Sequence, residues 1–186
     1  MNPRARPAGD KPEASPHADA PTARSYLLEY VAKVALPFAV LGVREHDERI
    51  VGLDYLPLST PSLGPRTPLA REMARQLHAY AANPKHAFDL PWSMNASAFE
   101  TGVWNAIRQI PAGQVRSYGD IARRVRSIPR AVGGACGRNP LPLIIPCHRV
   151  VAASGLGGFM GGRRDDPLAI KRWLLTHEGV LSPELA

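Results

Sequence analysis

The chain has 186 residues, 45% of hydrophobic type, with only two cysteines and a formal net charge of +7, which supports a packed core and excludes a disulfide scaffold. No run approaches the roughly 18 apolar residues of a membrane span and the first residues hold no apolar leader core, so a soluble protein of the reducing cytoplasm, away from membranes, is expected. The charge is uneven: residues 1–24 carry net +1, residues 25–94 net zero, and residues 95–186 twelve basic residues against six acids, eleven of the twelve being arginine, a fork that matches phosphate geometry and points to a polyanionic partner.

Residues 1–23, rich in Pro, Ala and charge, read as a disordered tail. Residues 24–94 read as a small α+β domain. Val34–Val43 and Ile50–Tyr55 are strand-like and flank the polar stretch Arg44–Arg49, which predicts a hairpin. A turn-rich loop, Ser59–Pro65, follows. Thr67 is placed to cap a helix with Pro68 at its first position. Leu69, Met73, Leu77 and Tyr80 recur at helical spacing until Asn83-Pro84 stops the run.

Residues 95–186 form a second, mostly helical domain. Phe99, Val103 and Ile107 line one helix face beside Trp104, and Ile110-Pro111-Ala112-Gly113 ends that segment. Ser117 and Asp120 make a capping box for a helix that buries Ile121, Ala122 and Val125. A third helix starts near Pro129 and runs through Cys136. The pair suggests a helix-turn-helix. Its glycines, Gly133 and Gly134 among them, cost roughly 1 kcal/mol each in a helix interior, which implies a close approach on that face. Val150–Ala152 and Gly158–Phe159, parted by Ser154-Gly155, are expected to form a wing. A last amphipathic helix covers roughly Leu168–His177, with Ile170 and Leu174 on one face.

The segment Ile144-Ile145-Pro146-Cys147-His148-Arg149-Val150-Val151 sets a cysteine directly before a histidine. A thiol needs a neighbouring base or positive charge to become a nucleophile, and Pro140, Pro142 and Pro146 hold the approach extended. Alone, the dipeptide fits an inert buried cysteine better than a nucleophile. Cys136 has no such neighbour and reads as packing.

The surrounding motifs carry more. Ile110-Pro111-Ala112-Gly113-Gln114-Val115-Arg116-Ser117-Tyr118-Gly119, Arg130-Ala131-Val132-Gly133-Gly134-Ala135, Asn139-Pro140, Ile145-Pro146-Cys147-His148-Arg149-Val150-Val151 and His177-Glu178-Gly179 occur in that order. Residues 99–179 resemble the C-terminal domain of the O6-alkylguanine-DNA alkyltransferases. The resemblance implies a ribonuclease H-like N-terminal α/β domain before a winged helix-turn-helix-like domain. It implies a monomer that needs no cofactor and acts on double-stranded DNA carrying O6-alkylguanine. Cys147 would take the alkyl group irreversibly, His148 would act as base through a water, Glu178 would orient His148, and Tyr118 would protonate the leaving guanine. Asn139 would tie the helix end to the active-site turn. Arg130 would fill the gap left by a flipped base, with Ala131, Gly133, Gly134 and Arg138 beside the DNA and Tyr118 also against the flipped nucleotide's phosphate. Val150, Phe159 and Met160 would shape the substrate pocket.

Two positions depart from the family pattern. Phe159-Met160 stands where many members have tyrosine and a small residue, and the link from Tyr118 to Arg130 is about two residues shorter than in some relatives. The N-terminal domain also lacks the zinc-binding cysteines of some relatives, so no metal is expected. A lesion-binding protein without transfer chemistry would lack Cys147, and a Cys-His hydrolase would need an oxyanion site that the sequence does not show.

Overall fold

Alternating apolar residues and two tight turns fold the first described segment into an antiparallel meander: β1 (Ala32–Leu36), β2 (Ala39–His46) and β3 (Arg49–Leu56), in that spatial order. The computed structural model describes residues 29–160 and 167–182, so the expected tail at residues 1–23 lies outside it. The expected hairpin is β2–β3, turned by Asp47 and Glu48 with φ of 48° and 55°, the conformation of a two-residue type I′ turn. The stretch expected as one strand, Val34–Val43, is two strands instead, broken at Pro37-Phe38. Proline offers no N–H to a ladder, and Phe38 turns inward onto Trp173 with ring centroids 4.5 Å apart.

Helix α1 (Pro68–Ala82) starts as read: Thr67 accepts from the Ala70 N–H at 2.9 Å and Asn83 ends it. Its stripe of Met73, Leu77 and Tyr80 is buried. Helix α2 (Ala98–Arg108) has a capping box, Ser97 with Glu100, that the sequence reading overlooked. Trp104 on α2 donates its indole N–H to the Ala135 carbonyl at 3.0 Å, so it is core. Strand β4 (Arg116–Ser117) leads into α3 (Tyr118–Arg124), capped reciprocally by Ser117 and Asp120. Ile121 and Ala122 are buried, while Val125 is half-buried at the cap. Helix α4 (Pro129–Gly137) follows, then a 3₁₀ turn at Cys147–Arg149, β5 (Val150–Val151) and α5 (Pro167–His177).

The expected wing is not a hairpin. Val150–Val151 pairs in parallel with Arg116–Ser117, and Gly158–Phe159 forms no strand. The carbonyls of Leu156 and Gly158 point instead to the ammonium of Lys171, at 2.7 and 3.1 Å. Gly157, at φ 69°, curls the loop where an added Cβ would lie 3.0 Å from the Tyr118 ring.

One buried cluster runs from Ala32 on β1 to Leu174 on α5. The Leu53 N–H of β3 donates to the Pro140 carbonyl at 2.8 Å, and Ile50 exchanges backbone bonds with Pro91 and Ser93. The meander therefore backs the segment that leads to Cys147. Among the described residues no helix is long and apolar enough to cross a membrane.

Candidate active site

Cys147 is 6% exposed and opens the 3₁₀ turn after the buried run Leu141, Leu143, Ile144, Ile145. Asn139 organises the approach. Its side-chain amide donates to the Ile145 carbonyl at 2.8 Å and to Cys147 Sγ at 3.3 Å, while its Oδ1 accepts from the Leu141 N–H at 3.0 Å. Burial raises the pKa of the Cys147 thiol, with Asn139 and Lys171 pulling the other way. The resting residue is thus a thiol whose anion already has one donor in place.

Behind it, His148 is 1% exposed and its Nε2 lies 2.9 Å from Glu178 Oε1. Burial pushes the Glu178 pKa up, but bonds from His148 and Arg149 outweigh it and hold the group at about 2. A carboxylate accepts only, so Nε2 carries the proton and Nδ1 carries the lone pair. That Nδ1 is buried without a hydrogen-bond partner among the described residues. Burial lowers the His148 pKa, opposed by Glu178, so the resting imidazole is neutral and able to take a proton. Sequence reasoning identified this pair but missed what surrounds it. Arg149 binds Glu178 through Nε at 2.9 Å and Nη2 at 2.7 Å, and Tyr80 donates its hydroxyl to Oε1 at 2.9 Å.

The sulfur faces a cavity of about 260 Å³ walled by Tyr118, Gly133, Cys136, Gly158, Phe159 and Met160. Burial, and after it the two cysteines, raise the Tyr118 pKa, which keeps its hydroxyl a donor; it donates to the Gly158 carbonyl at 3.1 Å. Phe159 and Met160 lie where the pocket reading put them. Val150 does not: it is fully buried outside the wall, and its carbonyl accepts from Lys171 at 2.7 Å. Lys171, fully buried on α5, was the largest omission. Burial lowers its pKa to about 8, and its three carbonyl acceptors fix the loop that closes the cavity. Its position between Ile170 and Leu174 on an apolar stripe was the available signal.

The family model for the DNA-binding domain of 6-O-methylguanine DNA methyltransferase matches residues 98–180. A methylated-DNA–protein-cysteine methyltransferase of Archaeoglobus fulgidus is 44% identical over 110 residues, covering 59% of this chain and 75% of the relative. One from Metallosphaera sedula is 38% identical over 146 residues, covering 78% of this chain and 90% of the relative. The chain belongs to the methylated-DNA–protein-cysteine methyltransferase family. Its fold agrees: the crystal structure of the Mycobacterium tuberculosis family protein in complex with DNA is 33% identical, with a TM-score of 0.65, over 82% of this chain and 95% of that one.

Of the positions expected to meet DNA in this methyltransferase, Tyr118 opens α3 and the others lie on α4 or at its C-cap. Arg130 is exposed in its first turn, while Ala131, Gly133 and Gly134 are half-buried. Arg138, at its end, is exposed but paired with Glu100 at 2.6 Å. Sequence reasoning missed Ile128, the N-cap of α4, which is 62% exposed. Among the described residues no group of His, Cys, Asp and Glu is arranged to hold a metal.

Proposed function

We propose that this chain repairs duplex DNA by moving an alkyl group from guanine O6 to Cys147, once per molecule. The observation that carries this reading is the convergence of Asn139 and the His148–Glu178 pair on a buried thiol beside a cavity. In this mechanism Nδ1 of His148 takes the Cys147 proton through a water, and Glu178 stabilises the imidazolium. The sulfur attacks the alkyl carbon, an S–C bond forms and the C–O6 bond breaks. Tyr118 gives a proton to guanine N3, so a neutral base leaves. A thioether has no step back, so each chain acts once.

The cavity admits only an unstacked base, and flipping costs a few kcal/mol. Arg130, with Ile128 beside it, enters the gap. Helices α3 and α4 act as the helix-turn-helix, applied to the minor groove. A Cβ on Gly133 would come no nearer than 4.0 Å to Tyr118, and one on Gly134 would lie 3.4 Å from Arg138. Internal packing therefore does not demand these glycines, which supports a close approach by nucleic acid. Ala131 and Arg138 flank that contact. Residues 24–94, a ribonuclease H-like scaffold, brace the reactive half at residues 95–186, and the protein works as a monomer without cofactor.

Intact-mass and peptide mass spectrometry after incubation with O6-methylguanine duplex tests this. One methyl on Cys147, with no second event, is the expected result. Tight binding with no mass gain would show a lesion binder instead.

A further inference from the structure

Helix α4 packs on the core through Val132 and Ala135, both fully buried. Cys136, the next residue, is only half-buried. It lines the cavity of about 260 Å³ that Cys147 also lines, and the two share the wall of a second cavity, of about 580 Å³, bordered by Leu53 and Tyr55 of β3. Asn139 reaches both residues: its backbone N–H donates to the Cys136 carbonyl at 3.3 Å, and its side-chain amide donates to Cys147 Sγ at 3.3 Å. These are the two cysteines of the chain, and both are free thiols.

The two sulfurs also act on each other and on one shared cation. Burial raises the pKa of each thiol, the Cys147 sulfur adds to the effect at Cys136, and the Lys171 ammonium opposes it at both. Two anions side by side are unfavourable, and a bond between the sulfurs removes both charges. The base pocket, about 260 Å³, admits hydrogen peroxide, which needs roughly 60 Å³ by comparison with water. A sulfur oxidised there climbs from sulfenic to sulfinic acid, a stage that thiols do not reverse, unless a second thiol condenses with the sulfenic acid first.

We infer that Cys136 and Cys147 form an intramolecular disulfide on exposure to peroxide, so that Cys136 keeps the acceptor sulfur in a blocked but recoverable form. The Cys147 sulfur attacks peroxide: an S–O bond forms, the O–O bond breaks, and the departing oxygen leaves as water with the thiol proton. The Cys136 sulfur then attacks the sulfur of that sulfenic acid: an S–S bond forms, the S–O bond breaks, and a second water carries off the Cys136 proton. Two electrons pass from the pair of thiols to peroxide, and a thiol reductant returns them. The block on repair rests on Cys147 being the acceptor, whereas the disulfide itself does not.

The full chain, exposed to hydrogen peroxide and then to dithiothreitol, tests it, with intact mass, non-reducing peptide mass and single-turnover methyl transfer followed together. The oxidised wild type is about 2 Da lighter. Trypsin, which cuts after Arg138 between the two cysteines, leaves their peptides joined. Transfer falls by about tenfold or more and returns to within about twofold of the untreated rate on reduction. In Cys136→Ala, judged against its own untreated rate, the same exposure adds about 32 or 48 Da at Cys147, the sulfinic and sulfonic acids, and reduction does not restore transfer. Such oxygen gains on the wild type, an unchanged wild-type mass, or a link between two chains in place of one within a chain overturn the inference. Recovery of Cys136→Ala as complete as that of the wild type overturns the protective role. Absence of methyl transfer by untreated wild type sinks the acceptor assignment instead, while the peptide masses still decide the disulfide.

Discussion

The hydroxyl of Tyr80 donates to Glu178 Oε1 at 2.9 Å, across 98 positions of sequence. A helix of the N-terminal half thus supplies a donor to the same oxygen that holds His148. The carboxylate needs all its donors because it is buried: each bond lowers the cost of keeping a charge out of water. Tyr80→Phe removes one bond to a charged group without opening a cavity. The expected outcome is a melting temperature lower by roughly 3–6 °C. Transfer should slow by less than about threefold, since the His148 bond remains. Thermal melts and single-turnover assays check both.

Glu178→Gln should be far more damaging. It removes the charge that stabilises imidazolium and leaves the Arg149 guanidinium facing a neutral amide. By analogy with loss of the orienting acid in a catalytic triad, transfer should fall by roughly 10²- to 10⁴-fold. DNA binding, assigned in our proposal to surface arginines, should stay within about twofold. A mobility-shift assay beside the rate measurement separates the two.

Glu178 also dictates how acid affects the fold. Its folded pKa, about 2, lies below that of an unfolded carboxylate. Its stabilising contribution is therefore complete above the ordinary carboxylate value and is lost as pH falls toward 2. His148, whose pKa burial lowers, acts in the same direction from its ordinary value downward. Urea unfolding of the wild type should show stability dropping steeply between about pH 5 and 2. The Glu178→Gln protein should show a shallower drop, and parallel curves would remove Glu178 from this account.

Arg130 tests base extrusion. It is exposed and no shape of the catalytic pocket depends on it. Arg130→Ala should slow reaction with duplex DNA by tenfold or more, on the order of 1–2 kcal/mol of extrusion energy, while reaction with free O6-benzylguanine changes little. Equal losses on both would show that it does not support the flipped state.

Lys171→Met keeps the length of the side chain and removes the ammonium. Three carbonyls, those of Val150, Leu156 and Gly158, then lose a charged donor. The loop carrying Phe159 and Met160 should loosen, seen as faster amide exchange over residues 150–160 and transfer slowed by about tenfold or more.

Local rules carried the sequence reading wherever local physics decides the outcome. The caps at Thr67 and Ser117, the stop at Asn83 and the stripe of Met73, Leu77 and Tyr80 follow from bonds within a few residues. The Cys147–His148 pair and Asn139 were legible through ordered motifs. What escaped depends on distant contacts. The break at Pro37-Phe38 needs Trp173 to receive the phenyl ring. The wing fails because Lys171 claims its carbonyls, and a lysine reads as a surface residue until the fold shows it buried. Tyr80 read as an apolar stripe residue because nothing in its neighbourhood announces Glu178.

The two-residue parallel ladder between Arg116–Ser117 and Val150–Val151 joins the cap of α3 to the strand that leaves the cysteine turn. Ser117 both starts that helix and pairs with Val151, four positions past Cys147. The first helix of the proposed helix-turn-helix and the strand that leaves the nucleophile's turn are therefore joined by a short link. If the proposed docking holds, a tilt of α3 on a misaligned duplex would shift the strand that leaves the cysteine turn, so the reaction geometry would depend on docking.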